Sequence, residues 1–158
     1  MITCVLQVIS FILVAMKSEP RSDCPINYAL ELFGDRWTLL IVRDMLYEHA
    51  STFGELASSP EGIATNVLSE RLGRLETNGI VTKTPDAADG RRDRYTLTEK
   101  GIQLYPLMLE MTLWSATWDP DTVVSSHLVE TIEADKPRFI QEAIAGRWRP
   151  PRARRAVA

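Results

Sequence analysis

The chain has 158 residues, 45% hydrophobic and 25% charged, which fits one domain with an appendage and excludes wholesale disorder. Eighteen lysines and arginines against 21 acidic residues give a formal net charge of −3, so the basic surplus usual in nucleic-acid binders is absent on average. The last twelve residues hold five arginines and no acid; without them 13 basic residues face 21 acidic ones, a net of −8, so any polyanion site on the body must be local.

Residues 1–16 contain thirteen apolar residues and no charge. The run is short of the roughly 20 residues a spanning helix needs, and it lacks the basic start and cleavage site of a signal peptide. The expectation is an apolar extension over 1–21, of the kind a misplaced start adds ahead of Met16-Lys17, rather than a membrane anchor. If made, it must be buried, against a partner subunit for instance. Ser22 or Asp23 is expected to cap a helix that has Pro25 in its first turn and ends at Gly34, with Ile26, Leu30 and Phe33 on one face. Asp35 is expected to cap a second helix from Arg36 to about Tyr47, whose Trp37, Leu40, Ile41 and Met45 recur at helical spacing. Thr52-Phe53-Gly54-Glu55 is a capping-box pattern opening a short third helix to about Ser58. After the turn Pro60-Glu61-Gly62, residues 63–78 read as a fourth helix closed by Gly79.

From Gly79 the period becomes alternating. Residues 80–84 and 94–97 read as the two strands of a hairpin, joined by a polar loop with Asp89-Gly90 at its tip. Thr98 is expected to cap a last long helix running to about Trp118, kinked at Pro106. Helix, helix, short helix, turn, helix and hairpin is the order of a winged helix-turn-helix, a layout that places one helix against DNA. The fold class expected is therefore mainly α with a small β-hairpin (α+β).

The fourth helix has two sides. Val67, Leu68, Leu72 and Leu75 form a core stripe with Arg71 on its border, and the other side presents Thr65, Asn66, Ser69, Glu70, Gly73, Arg74 and Thr77. Short hydrogen-bonding side chains suit a groove about 12 Å wide, where Asn pairs with adenine edges, Glu accepts from cytosine and Arg bridges guanine or holds phosphate. Gly73 costs about 1 kcal/mol of helix propensity, which close approach of a duplex would compensate. An ordinary solvated face explains the same residues equally well. The hairpin shifts that balance: Arg91, Arg92 and Arg94 cluster past the loop tip, where a wing meets a minor groove or its phosphates. Asp86, Asp89 and Asp93 beside them would weaken non-specific affinity.

Cys24-Pro25, Gly34 to Ile41, Phe53-Gly54-Glu55-Leu56, Gly62 to Leu72, Leu75-Glu76, Gly79-Ile80-Val81 and Tyr95 to Gly101 form ordered blocks. Together they resemble the HxlR-type winged helix-turn-helix transcriptional regulators across roughly residues 22–118. The resemblance implies a homodimeric bacterial, and so cytoplasmic, regulator. Its recognition helix would carry Thr65, Asn66, Ser69, Glu70, Arg71 and Arg74, and its wing Arg91, Arg92 and Arg94. Asp35-Arg36 stands where many members have Gly-Lys, which implies a DNA-backbone contact at Arg36. Cys24 matches a cysteine that several members use to sense oxidants or aldehydes. A thiol at a helix N-terminus is activated by the positive dipole end, whereas a lone cysteine is otherwise a small buried hydrophobe.

The last helix is apolar nearly all round, and Leu104, Leu107, Met108, Met111, Trp114 and Trp118 are the dimerisation candidates. A symmetric partner is one cover, the segment 119–145 the other. That segment, a strand or helix near 123–133 and a helix near 135–145, is expected to dock on the dimer core. Residues 146–158 are expected to be a disordered basic tail able to touch phosphates. Two cysteines and two histidines supply no metal cluster, and no phosphate-binding, dinucleotide or nucleophile motif occurs, so neither a cofactor nor an enzyme is expected. The expected function is a sequence-specific regulator, a repressor rather than an activator, bound to a pseudo-palindromic duplex and released by an electrophile or small-molecule effector, with no membrane role. The alternative is a winged-helix protein-interaction module without specific DNA binding.

Overall fold

The computed structural model describes residues 21–87, 89–122 and 124–146. The expectations for residues 1–20 and for the basic tail beyond Gly146 therefore lie outside the described residues. The chain divides into two compact units, Met1–Gly34 and Asp35–Ala158.

The described part of the first unit is helix α1, Pro25–Phe33, with proline in its first turn and Gly34 as its C-cap. Neither Ser22 nor Asp23 caps it: the N-cap residue is Cys24, whose side chain makes no cap hydrogen bond. Proline at the first position has no amide to leave unsatisfied and is pre-set for the helix, so the helix starts there without a side-chain cap. Ile26 and Leu30, one turn apart, are exposed.

The second unit opens with α2, Thr38–Tyr47. It starts two residues later than expected because the Asp35 carboxylate accepts from the amides of Trp37 (2.9 Å) and Thr38 (3.1 Å), folding residues 35–37 into a turn ahead of the helix. Its inner face buries Ile41, Val42 and Met45. Helix α3, Phe53–Ala57, has the capping box the sequence announces, with the Thr52 hydroxyl accepting from the Glu55 amide and the Glu55 carboxylate from the Thr52 amide. Helix α4, Thr65–Thr77, buries Leu68, Leu72 and Leu75. Gly79 then takes φ +66°, a left-handed turn that ends the helix and redirects the chain into the hairpin.

Strands β1 (Val81–Pro85) and β2 (Asp93–Leu97) pair antiparallel in the register Val81↔Leu97, Lys83↔Tyr95, Pro85↔Asp93. The residues ahead of α3 join them: Thr52 bridges Arg94, and the Tyr95 amide donates to the Ser51 carbonyl at 2.7 Å. Mostly helical with one small hairpin, this is an α+β winged helix-turn-helix, with α3 and α4 as its two helices and β1–β2 as its wing.

The long helix expected after Thr98 is two helices, α5 (Glu99–Ile102) and α6 (Tyr105–Trp118). Pro106 does not kink a continuous helix; it occupies the first turn of α6, where a missing amide costs nothing. Gly101 in α5 lies so close to the Ile80 carbonyl that a Cβ there would collide with it. The segment after α6 carries two helices, α7 (Ser126–Ala134) and α8 (Lys136–Ile144), so from Ser126 on the stretch expected as strand or helix is helix. Tyr105 and Leu109 of α6 form a core with Ile132 and Phe139 from this appendage, and Lys136 reaches Glu110 at 2.9 Å. The appendage thus packs on α6 of its own chain.

Candidate nucleic-acid interface

Periodicity divides α4 cleanly. Thr65, Asn66, Ser69, Glu70, Gly73, Arg74 and Thr77 are exposed, opposite the buried leucines. Among the described residues an added Cβ at Gly73 would have no neighbour within 4 Å, so their packing gives no reason for a glycine there. The asset of this position is a bare helix backbone.

Arg71 departs from the expectation. Its side chain is 16% exposed, and its Nε donates to the Asp35 Oδ1 at 2.9 Å while Nη1 meets the Glu70 Oε1 at 2.6 Å. Its guanidinium is committed within the fold, because the border of the core stripe turns it toward the entry of α2. Asp35 is held below its ordinary pKa: burial opposes the shift, but hydrogen bonds from Thr38, Trp37 and Arg71 outweigh it. Arg36, in the turn between, is exposed.

The wing arginines are not equivalent. Arg94 holds Asp86 (2.6 Å) and the Ser51 hydroxyl (2.7 Å), and Arg92 pairs with Asp89 (3.2 Å). Lys83 pairs across the strands with Asp93 (2.9 Å). Each wing carboxylate therefore faces a cation, and Arg91 is exposed with no ion-pair partner among the described residues. The loop is further pinned by the Arg91 amide on the Asp89 carboxylate (3.2 Å) and the Asp86 amide on the Arg92 carbonyl (2.8 Å). A pinned tip bearing one uncommitted guanidinium is suited to touching a phosphate or a narrow groove.

One set of positioning residues has no counterpart in the sequence reading. Arg43 of α2 donates to Glu61 (Nη2 to Oε2, 2.9 Å), to Asp44 (Nε to Oδ1, 2.9 Å) and to the Ser59 hydroxyl (3.3 Å). Ser59 in turn donates to Glu61 at 2.7 Å. The Arg43 guanidinium holds the Glu61 carboxyl down at about 2. Glu61 lies in the turn between α3 and α4, so this cluster fastens the helix-turn-helix turn to α2. The available signal was Pro60-Glu61-Gly62, a turn carrying an acid, and it could not name the partner.

Of the dimerisation candidates, Leu107, Met111, Trp114 (67%) and Trp118 (71%) are exposed, whereas Leu104 is half-buried. Met108 is buried among its own chain's residues and is not on that surface. Cys24 is exposed, which removes the reading of it as a buried hydrophobe. Among the described residues no helix is long and apolar enough to cross a membrane, and no His, Cys, Asp and Glu group could hold a metal ion.

The family model described as HxlR-like helix-turn-helix matches residues 32–122, more than half of the chain. The sequence is similar to YdzF, an HTH-type transcriptional regulator of Bacillus subtilis: 32% identical over 100 residues, covering 63% of this chain and 92% of YdzF. The fold is similar to that of PA1607, with a TM-score of 0.61 and 34% identity over 69% of this chain and 76% of the other. It is also similar to the reduced form of the transcriptional regulator YodB from B. subtilis, with a TM-score of 0.52 and 31% identity over 64% of this chain and all of the other.

Proposed function

The chain belongs to the HxlR-like helix-turn-helix family, and on that premise we infer that it is a cytoplasmic repressor that binds duplex DNA sequence-specifically as a homodimer. One observation carries the reading. The exposed side of α4 is built of short hydrogen-bonding residues around Gly73, a glycine that no neighbour among the described residues requires. A helix so shaped can enter a major groove and bring its own backbone close to the duplex. In this reading Thr65, Asn66, Ser69, Glu70 and Arg74 face base edges and adjoining phosphates, while Arg91 and Arg36 contact backbone or minor groove.

Two exposed apolar stripes support the homodimer: Ile26 and Leu30 on α1, and Leu107, Met111, Trp114 and Trp118 on α6. A second copy of the chain covers such surfaces without exposing new ones, and sets two recognition helices about one DNA turn, roughly 34 Å, apart on a pseudo-palindrome. Residues 22–118 then carry binding and dimerisation, and the appendage props α6. The exposed thiol of Cys24, beside the N-terminus of α1, is the input: its addition to an electrophile, or its oxidation, would alter the dimer and release DNA.

The test is affinity for DNA flanking the protein's own gene against random duplex at matched salt. A preference of about a thousandfold or more is expected, within the range of specific regulators. Equal affinity, together with a stable complex with another protein, would instead make the winged scaffold an interaction module.

A further inference from the structure

Arg71 lies in the helix assigned to DNA, yet on the border of its buried leucine stripe, with Nη1 on the exposed Glu70 at 2.6 Å. At 100° per residue it sits about 140° around the axis from Asn66 and about 160° from Ser69. Its Nε meets Asp35 at 2.9 Å, and both side chains are partly buried, 16% and 21% exposed. Asp35 is itself immobilised, because its carboxylate accepts from the amides of Trp37 and Thr38 and from the Thr38 hydroxyl. The guanidinium therefore grips a fixed point at the start of α2, thirty-six positions earlier.

Leucines 68, 72 and 75 hold α4 against the core, but apolar contacts resist separation more than they resist rotation or sliding. A charge-assisted hydrogen bond is directional and sets both. Moving Arg71 out to a phosphate would leave Asp35 partly buried without its cation, a costly exchange.

We propose that Arg71 is a positioning residue, not a DNA-contacting one: paired with Asp35, it sets the rotation of the recognition helix and thereby the specificity of the face opposite. The proposal rests on the DNA-binding reading of α4. It assigns Arg71 and Asp35 to discrimination between sequences rather than to attraction for the polyanion.

The experiment measures affinity for the protein's own upstream DNA and for random duplex across a salt series, with thermal melting as a check on folding. The wild-type protein comes first: equal affinity for the two duplexes overturns DNA recognition itself, independently of Arg71. Asp35→Ser keeps a hydroxyl cap for Trp37 and Thr38 but cannot reach Arg71. It is expected to lower the specific-to-random ratio roughly tenfold or more, the worth of one misplaced base contact, with random-duplex affinity unchanged. Arg71→Gln is expected to lower the ratio likewise, with the slope of log K against log salt unchanged. A slope shallower by about 0.9 in Arg71→Gln marks a lost phosphate contact and overturns the proposal. So does an unchanged ratio in Asp35→Ser, or a gain in its random-duplex affinity from a released guanidinium. If Arg71→Gln does not melt cooperatively, the two Asp35→Ser outcomes decide.

Discussion

Arg43 and Glu61, eighteen positions apart, form a two-pronged ion pair in which one terminal nitrogen of the arginine meets each carboxylate oxygen, Nη2 to Oε2 at 2.9 Å. The pair bolts the turn of the helix-turn-helix to α2, while Arg71 and Asp35 bolt α4 to the start of the same helix. The two helices of the DNA-binding unit are thus oriented by polar links on top of an apolar core.

Glu61→Gln should destabilise the protein by about 1 kcal/mol at pH 7, a modest value because the pair is partly solvated, and lower Tm by about 2–4 °C. Its folded-state pKa of about 2 lies below the ordinary 4.5. The carboxylate's contribution is therefore complete above about pH 4.5 and is lost as pH falls toward 2. Urea melts of both proteins at pH 7, 4 and 2.5 should show the difference shrinking with acid. A gap that stays constant would assign the stability to something other than this ion pair.

Arg91→Ala should weaken binding to all duplexes alike and flatten the salt slope by about 0.9, the signature of one phosphate contact. Asn66→Ala should instead cost about 1–3 kcal/mol on the preferred sequence and relax preference at a single base position. Binding of both variants to a panel of single-base operator changes separates the two behaviours.

Gly73→Ala should pull stability and function apart. The methyl group meets nothing among the described residues, so helix propensity alone predicts a gain of about 1 kcal/mol in a denaturant melt. Operator affinity should fall, because the methyl stands where the duplex approaches. Unchanged affinity would mean that the α4 backbone does not come close to DNA.

Trp114→Glu should leave the protomer folded, since the indole is 67% exposed, and shift sedimentation toward the monomer. Operator affinity should drop by far more than affinity for a half-site. A variant that still sediments as a dimer would place the interface elsewhere.

Cys24→Ser should bind DNA as the native chain does and fail to release it when treated with an electrophilic quinone or a thiol oxidant. Normal release by the serine variant would exclude this thiol as the input.

The elements were legible because their causes are local. A capping box spans four residues, a leucine stripe one helical face, and a hairpin one alternating run with a turn, so Thr52–Glu55, Leu68–Leu75 and the wing could be read from neighbours in the chain. The corrections came where two local rules competed. Pro106 obeys both the kink rule and the first-turn rule, and the chain took the second by breaking at Gln103-Leu104. At Asp35 the carboxylate caps the amides of Trp37 and Thr38 as expected, and only the start of the regular helix moves, to Thr38.

By itself, then, the sequence determined the order of helices and hairpin through the wing, which face of α4 is apolar, and that arginine clusters past the wing tip. These follow from periodicity and capping within a few residues of chain. Only the tertiary structure decided which cations are spoken for. Arg71 found Asp35, Arg43 found Glu61, and Arg94 found Asp86 and Ser51, leaving Arg91 exposed at the wing. The partner of a charge depends on distance in space, and an ion pair formed across eighteen or thirty-six positions leaves no periodic trace in the chain.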